Sequence, residues 1–130
     1  MRNVEAVKPY KITFKYRPTY VHAHVVGKKY SYEILMQYFS EIVEACKKKD
    51  LKQVLVEEEI SEITSLVDVF RTASELPQLG FSRIRLAFVD HYAKHEDINK
   101  FGLLVAAKRG MDVQIFDSVA EADKWLSEMG

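Results

Sequence analysis

Cysteine and glycine are both scarce in this chain, and each scarcity excludes a class of chemistry. Cys46 is the single cysteine among 130 residues, so no disulfide can form within the chain, and a reducing, cytoplasmic setting is expected. With five glycines, the chain has no glycine-rich loop that could hold a nucleotide phosphate. It also lacks the Cys-x-x-Cys and Gly-x-Ser-x-Gly motifs of redox and hydrolytic sites. We therefore predict a protein that is not an enzyme.

Long apolar segments and an excess of charge are missing as well. No stretch approaches the roughly 18 apolar residues that a membrane span requires, and the N-terminus lacks the apolar core of a secretory signal. The 19 basic residues balance the 19 acidic ones, which argues against a dedicated nucleic-acid binder. We expect neither membrane insertion nor nucleic-acid binding.

The pattern of apolar residues predicts an alternating α/β fold of order ββαβαβαβα. Residues 1–9 are interpreted as an N-terminal extension and residues 10–130 as one domain. The predicted elements are strands at 10–16 and 20–26, a helix at 31–48, a strand at 54–56, a helix at 65–76, a strand at 83–89, a helix from 98 to 109, a strand at 113–116 and a final helix after Ser118. The first two strands form a hairpin, and the later crossovers require parallel neighbours. The result is a mixed, mostly parallel five-stranded sheet.

Several predicted strands alternate between apolar and polar residues. In the second strand Val21, Ala23 and Val25 alternate with His22 and His24. A parallel strand that is covered on both faces reads instead as a continuous apolar run. We therefore expect the helices to lie mainly on one face of the sheet, with the other face polar and partly open.

The predicted final strand and the helix after it, residues 113–126, are the most informative segment of the chain. Ser118 precedes a helix that carries Glu121 three residues later, the spacing of a capping box. Trp125 and Leu126 follow at helical spacing and give this helix an apolar face.

The order of elements, the one-sided sheet and the length resemble the STAS domain, and more closely its SpoIIAA-like bacterial subgroup. The segments that carry the resemblance are 27–32, 53–56, 85–90, 109–116 and the closing Ala-Glu-Ala-Asp-Lys-Trp-Leu at 120–126. The resemblance implies a non-enzymatic regulatory module that binds a protein partner. The likeness of this subgroup to lipid carriers implies an alternative, a carrier or sensor of a small apolar, lipid-like ligand in a crevice between helices. We also hypothesise a homodimer formed through the open sheet face or through the tyrosine-rich hairpin.

Thr64 and Ser65 have two interpretations. The resemblance implies that one of them is a phosphorylation switch or part of a partner-binding surface. The residues themselves predict a helix N-cap, with Asp68 completing a capping box after Ser65.

Polar residues after two neighbouring strands form the predicted ligand rim. These are Glu57, Glu58, Asp90, His91 and Tyr92. Ligands of open α/β sheets bind at the carboxyl ends of parallel strands, which is where these residues are expected.

Two histidine pairs could contribute to a metal site. His22 and His24 share a strand face, and His91 and His95 lie four residues apart. A metal site needs three or four converging ligands, and neither pair supplies them alone. We therefore predict no metal and no cofactor.

Overall fold

The secondary structure follows the predicted order. The computed structural model describes residues 8–62 and 64–129. The elements are β1 (Tyr10–Tyr16), β2 (Val21–Gly27), α1 (Tyr32–Lys49), β3 (Gln53–Ile60), α2 (Leu66–Leu79), β4 (Arg85–Asp90), α3 (Glu96–Lys108), β5 (Asp112–Phe116) and α4 (Val119–Met129). Short 3-10 turns at Phe81–Arg83 and Ala93–His95 precede β4 and α3. Most of the predicted N-terminal extension, residues 1–7, lies outside the described residues.

The strands form one mixed sheet, as predicted. Among the described residues the spatial order is β1-β2-β3-β4-β5, with β1 antiparallel to β2 and all other neighbours parallel. One helix connects each pair of parallel neighbours and returns the chain to the end of the sheet at which the strands begin. Both the hairpin and the α/β fold class are therefore confirmed.

The main core lies between one face of the sheet and the layer of α1, α2 and α3. We call this face of the sheet the helical face. Its side chains include Val21 and Val25 of β2 and Val54 and Val56 of β3, all fully buried. Ile42 of α1 is equally buried in the same cluster. Three of the four helices in the described part of the chain therefore lie on one face of the sheet, as predicted.

The expectation that the opposite face is open is wrong over β3, β4 and β5, where α4 packs. Leu55 and Ala87 on that face form a second buried cluster with Ala122 and Leu126 of α4. The physical reason lies in β4, whose run Leu-Ala-Phe-Val is apolar on both faces, as in a doubly covered parallel strand.

The strand predicted at 83–89 is shorter in the structure, because Arg83 lies in a 3-10 turn and β4 begins only at Arg85. The guanidinium of Arg85 lies 3.4 Å from the centroid of the Trp125 ring on α4. Arg85 is thus a stacking contact of the second core rather than an open-face charge.

Two predicted boundaries are also corrected. β3 continues to Ile60, so the acidic run Glu57–Glu59 lies inside the strand rather than after it. Pro77 does not end α2, which continues to Leu79. Pro77 cannot donate a hydrogen bond to the carbonyl of Ala73, but the helix continues for two more residues, and the N–H of Gly80 satisfies the carbonyls of Leu76 and Pro77.

Among the described residues, no helix combines the length and the apolar character needed to cross a bilayer.

Gly80 and Gly110 provide a matched test of packing at helix ends. Gly80 has a φ of 134°, and a Cβ there would lie 2.8 Å from Val43 Cγ1, whereas Gly110 has a φ of 91° and open space around it. We expect Gly80→Ala to lower the free energy of unfolding by about 2 to 4 kcal/mol, and Gly110→Ala by about 1 kcal/mol. Urea denaturation of both variants measures the difference. Equal losses would contradict the packing role of Gly80.

Candidate functional site

The predicted ligand rim is divided between the two faces of the sheet. Successive residues of a strand point to opposite faces, so Glu58 faces the helices while Glu57 and Glu59 face the other way. Asp90 lies on the face of Glu58, and His91 joins Glu57. The structure therefore contains two separate polar sites where the sequence predicted one.

The first site is a buried acid. Glu58 is only 2% exposed, and the hydroxyls of Tyr30 and Tyr38 donate hydrogen bonds to its two carboxylate oxygens. Burial raises the pKa of Glu58 to about 8, a shift that the hydrogen bond from Tyr30 opposes and the charge of Asp90 increases. Because burial disfavours the charged form, this carboxyl is largely protonated at neutral pH.

Asp90 organises the connection that follows β4. Its carboxylate accepts hydrogen bonds from the Tyr92 backbone N–H at 2.8 Å, from His95 Nδ1 at 2.9 Å and from Asn99 Nδ2 at 2.9 Å. His95 is 1% exposed, and its Nε2 has no hydrogen-bond partner among the described residues. Asp90, Tyr92 and His95 are therefore held together as a structural unit behind Glu58.

An apolar crevice opens beside Glu58, between the sheet and helices α2 and α3. We call it the helix–sheet crevice; its volume is about 110 Å³. Its walls include Val69, Leu76, Leu86, Phe88, Leu103 and Ala106. Glu58, Tyr30 and Thr72 also line it, and the buried Thr72 hydroxyl has no hydrogen-bond partner among the described residues. The crevice can thus offer a ligand an apolar surface together with a few polar groups that can form hydrogen bonds with it.

The second site is a cluster of histidine and glutamate side chains on the opposite face. His24 Nε2 donates to Glu59 Oε1 at 2.7 Å, and His91 Nε2 donates to Glu57 Oε2 at 2.6 Å. The rings of His24 and His91 are stacked, with centroids 6.0 Å apart. We call these four residues the His–Glu cluster.

His22 supports the cluster from the buried side. Its Nε2 donates to Glu57 Oε1 at 2.7 Å. Burial alone would raise the pKa of Glu57, but the hydrogen bonds from His91 and His22 and the charge of His24 lower it below its usual range. Glu57 is therefore an ionised carboxylate held between histidines.

The ligand atoms of the His–Glu cluster all lie within 4.8 Å of one another, close enough to hold a metal ion. This arrangement was not predicted, because the spacing in the sequence pairs His91 with His95, whereas the structure places these two residues in different sites. The usable signal was the spacing His22-x-His24 on one strand and Glu57-x-Glu59 on the next. In the parallel register His24 lies opposite Glu57, which brings both spacings to one face.

Ser65 is an N-cap, as its position predicted. The backbone N–H of Asp68 donates to Ser65 Oγ at 3.1 Å. The Asp68 carboxylate does not complete a capping box, because it accepts instead from the Tyr32 backbone N–H at 3.2 Å. Asp68 thus joins the starts of α1 and α2, and Thr64 lines the helix–sheet crevice.

Cys46 is buried in α1, as expected of a small core residue. Burial raises the pKa of its thiol to about 11. A thiol of this kind stays protonated and is a poor nucleophile.

No protein family and no curated protein matches this chain at a significant level. Its function is therefore inferred from the two sites themselves.

We expect Glu58→Gln to flatten the pH dependence of stability. The folded pKa of Glu58 lies near 8, above the ordinary glutamate value of 4.5, so folding takes up a proton between these values. The stability of the wild type should fall as the pH rises through that window, and the variant should lose this slope. The variant should gain about 3 kcal/mol relative to the wild type between pH 5 and pH 8.

Urea denaturation at a series of pH values measures this difference. Glu44→Gln is the matched control, because Glu44 is an exposed glutamate of α1. Its curve should run parallel to that of the wild type. A parallel curve for Glu58→Gln would contradict the assigned protonation of Glu58.

Proposed function

We propose that this chain is a non-enzymatic module of the STAS type that binds a small, uncharged, largely apolar molecule in the helix–sheet crevice. The resemblance of the sequence supports the STAS assignment, as does the layer formed by α1, α2 and α3 on one face of a mostly parallel sheet. The crevice is the observation that carries the binding function.

The size of the crevice limits the ligand. Its volume of about 110 Å³ is somewhat smaller than an engineered cavity of roughly 150 Å³ that accepts benzene. The ligand is therefore no larger than a single ring or a short aliphatic chain, whereas a full-length lipid would require α2 and α3 to separate. The ligand-binding alternative is thus narrowed from a lipid to a much smaller molecule.

The polar groups of the crevice limit the charge of the ligand. Glu58 is protonated near neutral pH and lies close to the carboxylate of Asp90. An anionic ligand would be repelled by Asp90 and would lose its hydration without gaining a cation. An alcohol or an amide can instead exchange hydrogen bonds with Glu58 or with the hydroxyl of Thr72, which has no partner within the described part of the chain. The favoured ligand therefore has one neutral polar group on an apolar body.

Hexan-1-ol and hexanoate test this assignment in NMR titrations at pH 7. We expect saturable shifts of crevice amides with hexan-1-ol, and no saturable shifts with hexanoate. Ala106→Leu should weaken hexan-1-ol binding at least about tenfold, because the larger side chain enters the space that the ligand needs.

Ala107→Leu is the matched control, since Ala107 is the next residue of α3 and is exposed. It should bind hexan-1-ol like the wild type, and circular dichroism should show that both variants fold. Saturable hexan-1-ol binding that Ala106→Leu leaves unchanged would contradict the crevice as the binding site. A wild type that shows no saturable shift would contradict the ligand class.

A protein-binding function is the second candidate, and the outer surface of α2 favours it. Leu66, Val67 and Phe70 are 58%, 67% and 45% exposed. Contiguous exposed apolar side chains are typical of interaction sites. Thr64 and Ser65 lie at the start of the same helix, where a phosphate would be near the positive end of the helix dipole. Phosphorylation of Ser65 would place charge beside this surface and so regulate a partner.

If the partner is a second copy of the chain, Val67→Lys should abolish self-association in sedimentation velocity runs, because it places a charge in the contact. Val26→Lys is the control, since Val26 is an exposed apolar residue of the β1–β2 hairpin. Dissociation by Val26→Lys but not by Val67→Lys would place the contact on the hairpin and contradict the α2 surface.

A further inference from the structure

We propose that the His–Glu cluster is a binding site for a divalent transition-metal ion, with His24, Glu57, Glu59 and His91 as its ligands. This site lies on the face of the sheet opposite the helix–sheet crevice and is independent of the function proposed for the crevice.

The ligands come from three separate segments that the sheet holds together. β2 and β3 are parallel neighbours, with His24 opposite Glu57 and Val26 opposite Glu59. His91 follows β4, and its backbone N–H donates to the Glu58 carbonyl at 3.0 Å. The backbone positions of all four ligands are therefore determined by sheet hydrogen bonds rather than by a mobile loop.

The distances between ligand atoms suit a tetrahedral ion. His24 Nε2 lies 2.7 Å from Glu59 Oε1 and 3.8 Å from Glu57 Oε2, while His91 Nε2 lies 2.6 Å from Glu57 Oε2 and 3.8 Å from Glu59 Oε1. Around zinc, with ligand bonds of about 2.0 to 2.2 Å, neighbouring ligand atoms lie about 3.4 Å apart. Each of these four separations must therefore change by less than about 1 Å. The other two separations, His24 to His91 and Glu57 to Glu59, are at most 4.8 Å, so each must change by less than about 1.5 Å, which side-chain rotations supply.

The chemistry of the donors selects the class of ion. Two carboxylates supply two negative charges, which a divalent cation neutralises. The imidazole nitrogens of His24 and His91 favour zinc, copper, iron or nickel over magnesium and calcium, which prefer oxygen ligands. Two imidazoles and two carboxylates around a tetrahedral space are therefore best suited to Zn²⁺.

His22 supplies the support that metal sites usually have beyond their ligands. It donates to Glu57 Oε1, leaving Oε2 to face His24 and His91. The His22 side chain is 10% exposed, and its Nδ1 has no hydrogen-bond partner among the described residues. This hydrogen bond fixes the orientation of the carboxylate, as outer hydrogen bonds do in known metal sites.

The site is open to solvent on one side. The side chains of His24 and Glu59 are each 34% exposed, and that of His91 is 40% exposed. An ion can therefore enter without any movement of the backbone. The buried Cys46 and His95 cannot compete for it without unfolding.

Isothermal titration of untagged, chelator-treated protein with Zn²⁺ tests the site. We expect one Zn²⁺ per chain with a dissociation constant in the micromolar range or below. His91→Ala and Glu59→Gln should each weaken binding at least about tenfold. Both residues are partly exposed, so the variants should fold, and circular dichroism checks that they do.

Glu96→Gln is the matched control, because Glu96 is an exposed acid of α3 that pairs only with Lys100 among the described residues. It should bind Zn²⁺ like the wild type. Titration with Co²⁺ adds a second readout, since four-coordinate Co²⁺ gives strong visible bands and six-coordinate Co²⁺ gives weak ones. Absence of stoichiometric Zn²⁺ binding, undiminished binding by His91→Ala and Glu59→Gln, or weak six-coordinate Co²⁺ bands would overturn the proposed site.

Discussion

The alternation of side chains along β3 is the constraint on which both candidate sites depend. β3 is the middle strand of the sheet and has parallel neighbours on both edges. Three consecutive glutamates inside such a strand cannot all reach solvent. Glu58 must face the helical layer, and Glu57 and Glu59 must face the other side. The positions of the two sites follow from this geometry.

The acidic triplet is stabilised in two different ways. A carboxylate without partners would be costly in the interior. On the helical face, Glu58 avoids the cost by retaining its proton and by sharing hydrogen bonds with the hydroxyls of Tyr30 and Tyr38. On the opposite face, Glu57 remains ionised because histidines donate to both of its oxygens. One strand therefore presents a neutral acid on one face and an anionic ligand on the other.

The position of α4 determines which part of the face opposite the helical face is exposed to solvent. Leu55 and Ala87 are covered by α4, and Arg85 stacks on Trp125 at the same end of the sheet. The His–Glu cluster lies toward the carboxyl ends of the strands, where His24 and Glu59 stay partly exposed. The face opposite the helical face therefore carries a small core under α4 and, beside it, the accessible His–Glu cluster. The helical layer, in contrast, encloses the apolar crevice beside Glu58.

The sequence alone determined the order of elements, the hairpin, the mostly parallel sheet and the serine caps, because these follow from local periodicity and backbone hydrogen bonding. It did not predict that β3 continues through Glu57–Glu59, since glutamate is a poor strand former and its partners lie far away in the chain. It also paired His91 with the nearby His95 rather than with His24. Only the tertiary structure decided that α4 crosses to the second face and that His24, Glu57 and His91 converge. Side-chain convergence depends on the register between strands, and register is set by packing across the whole sheet rather than by any one segment.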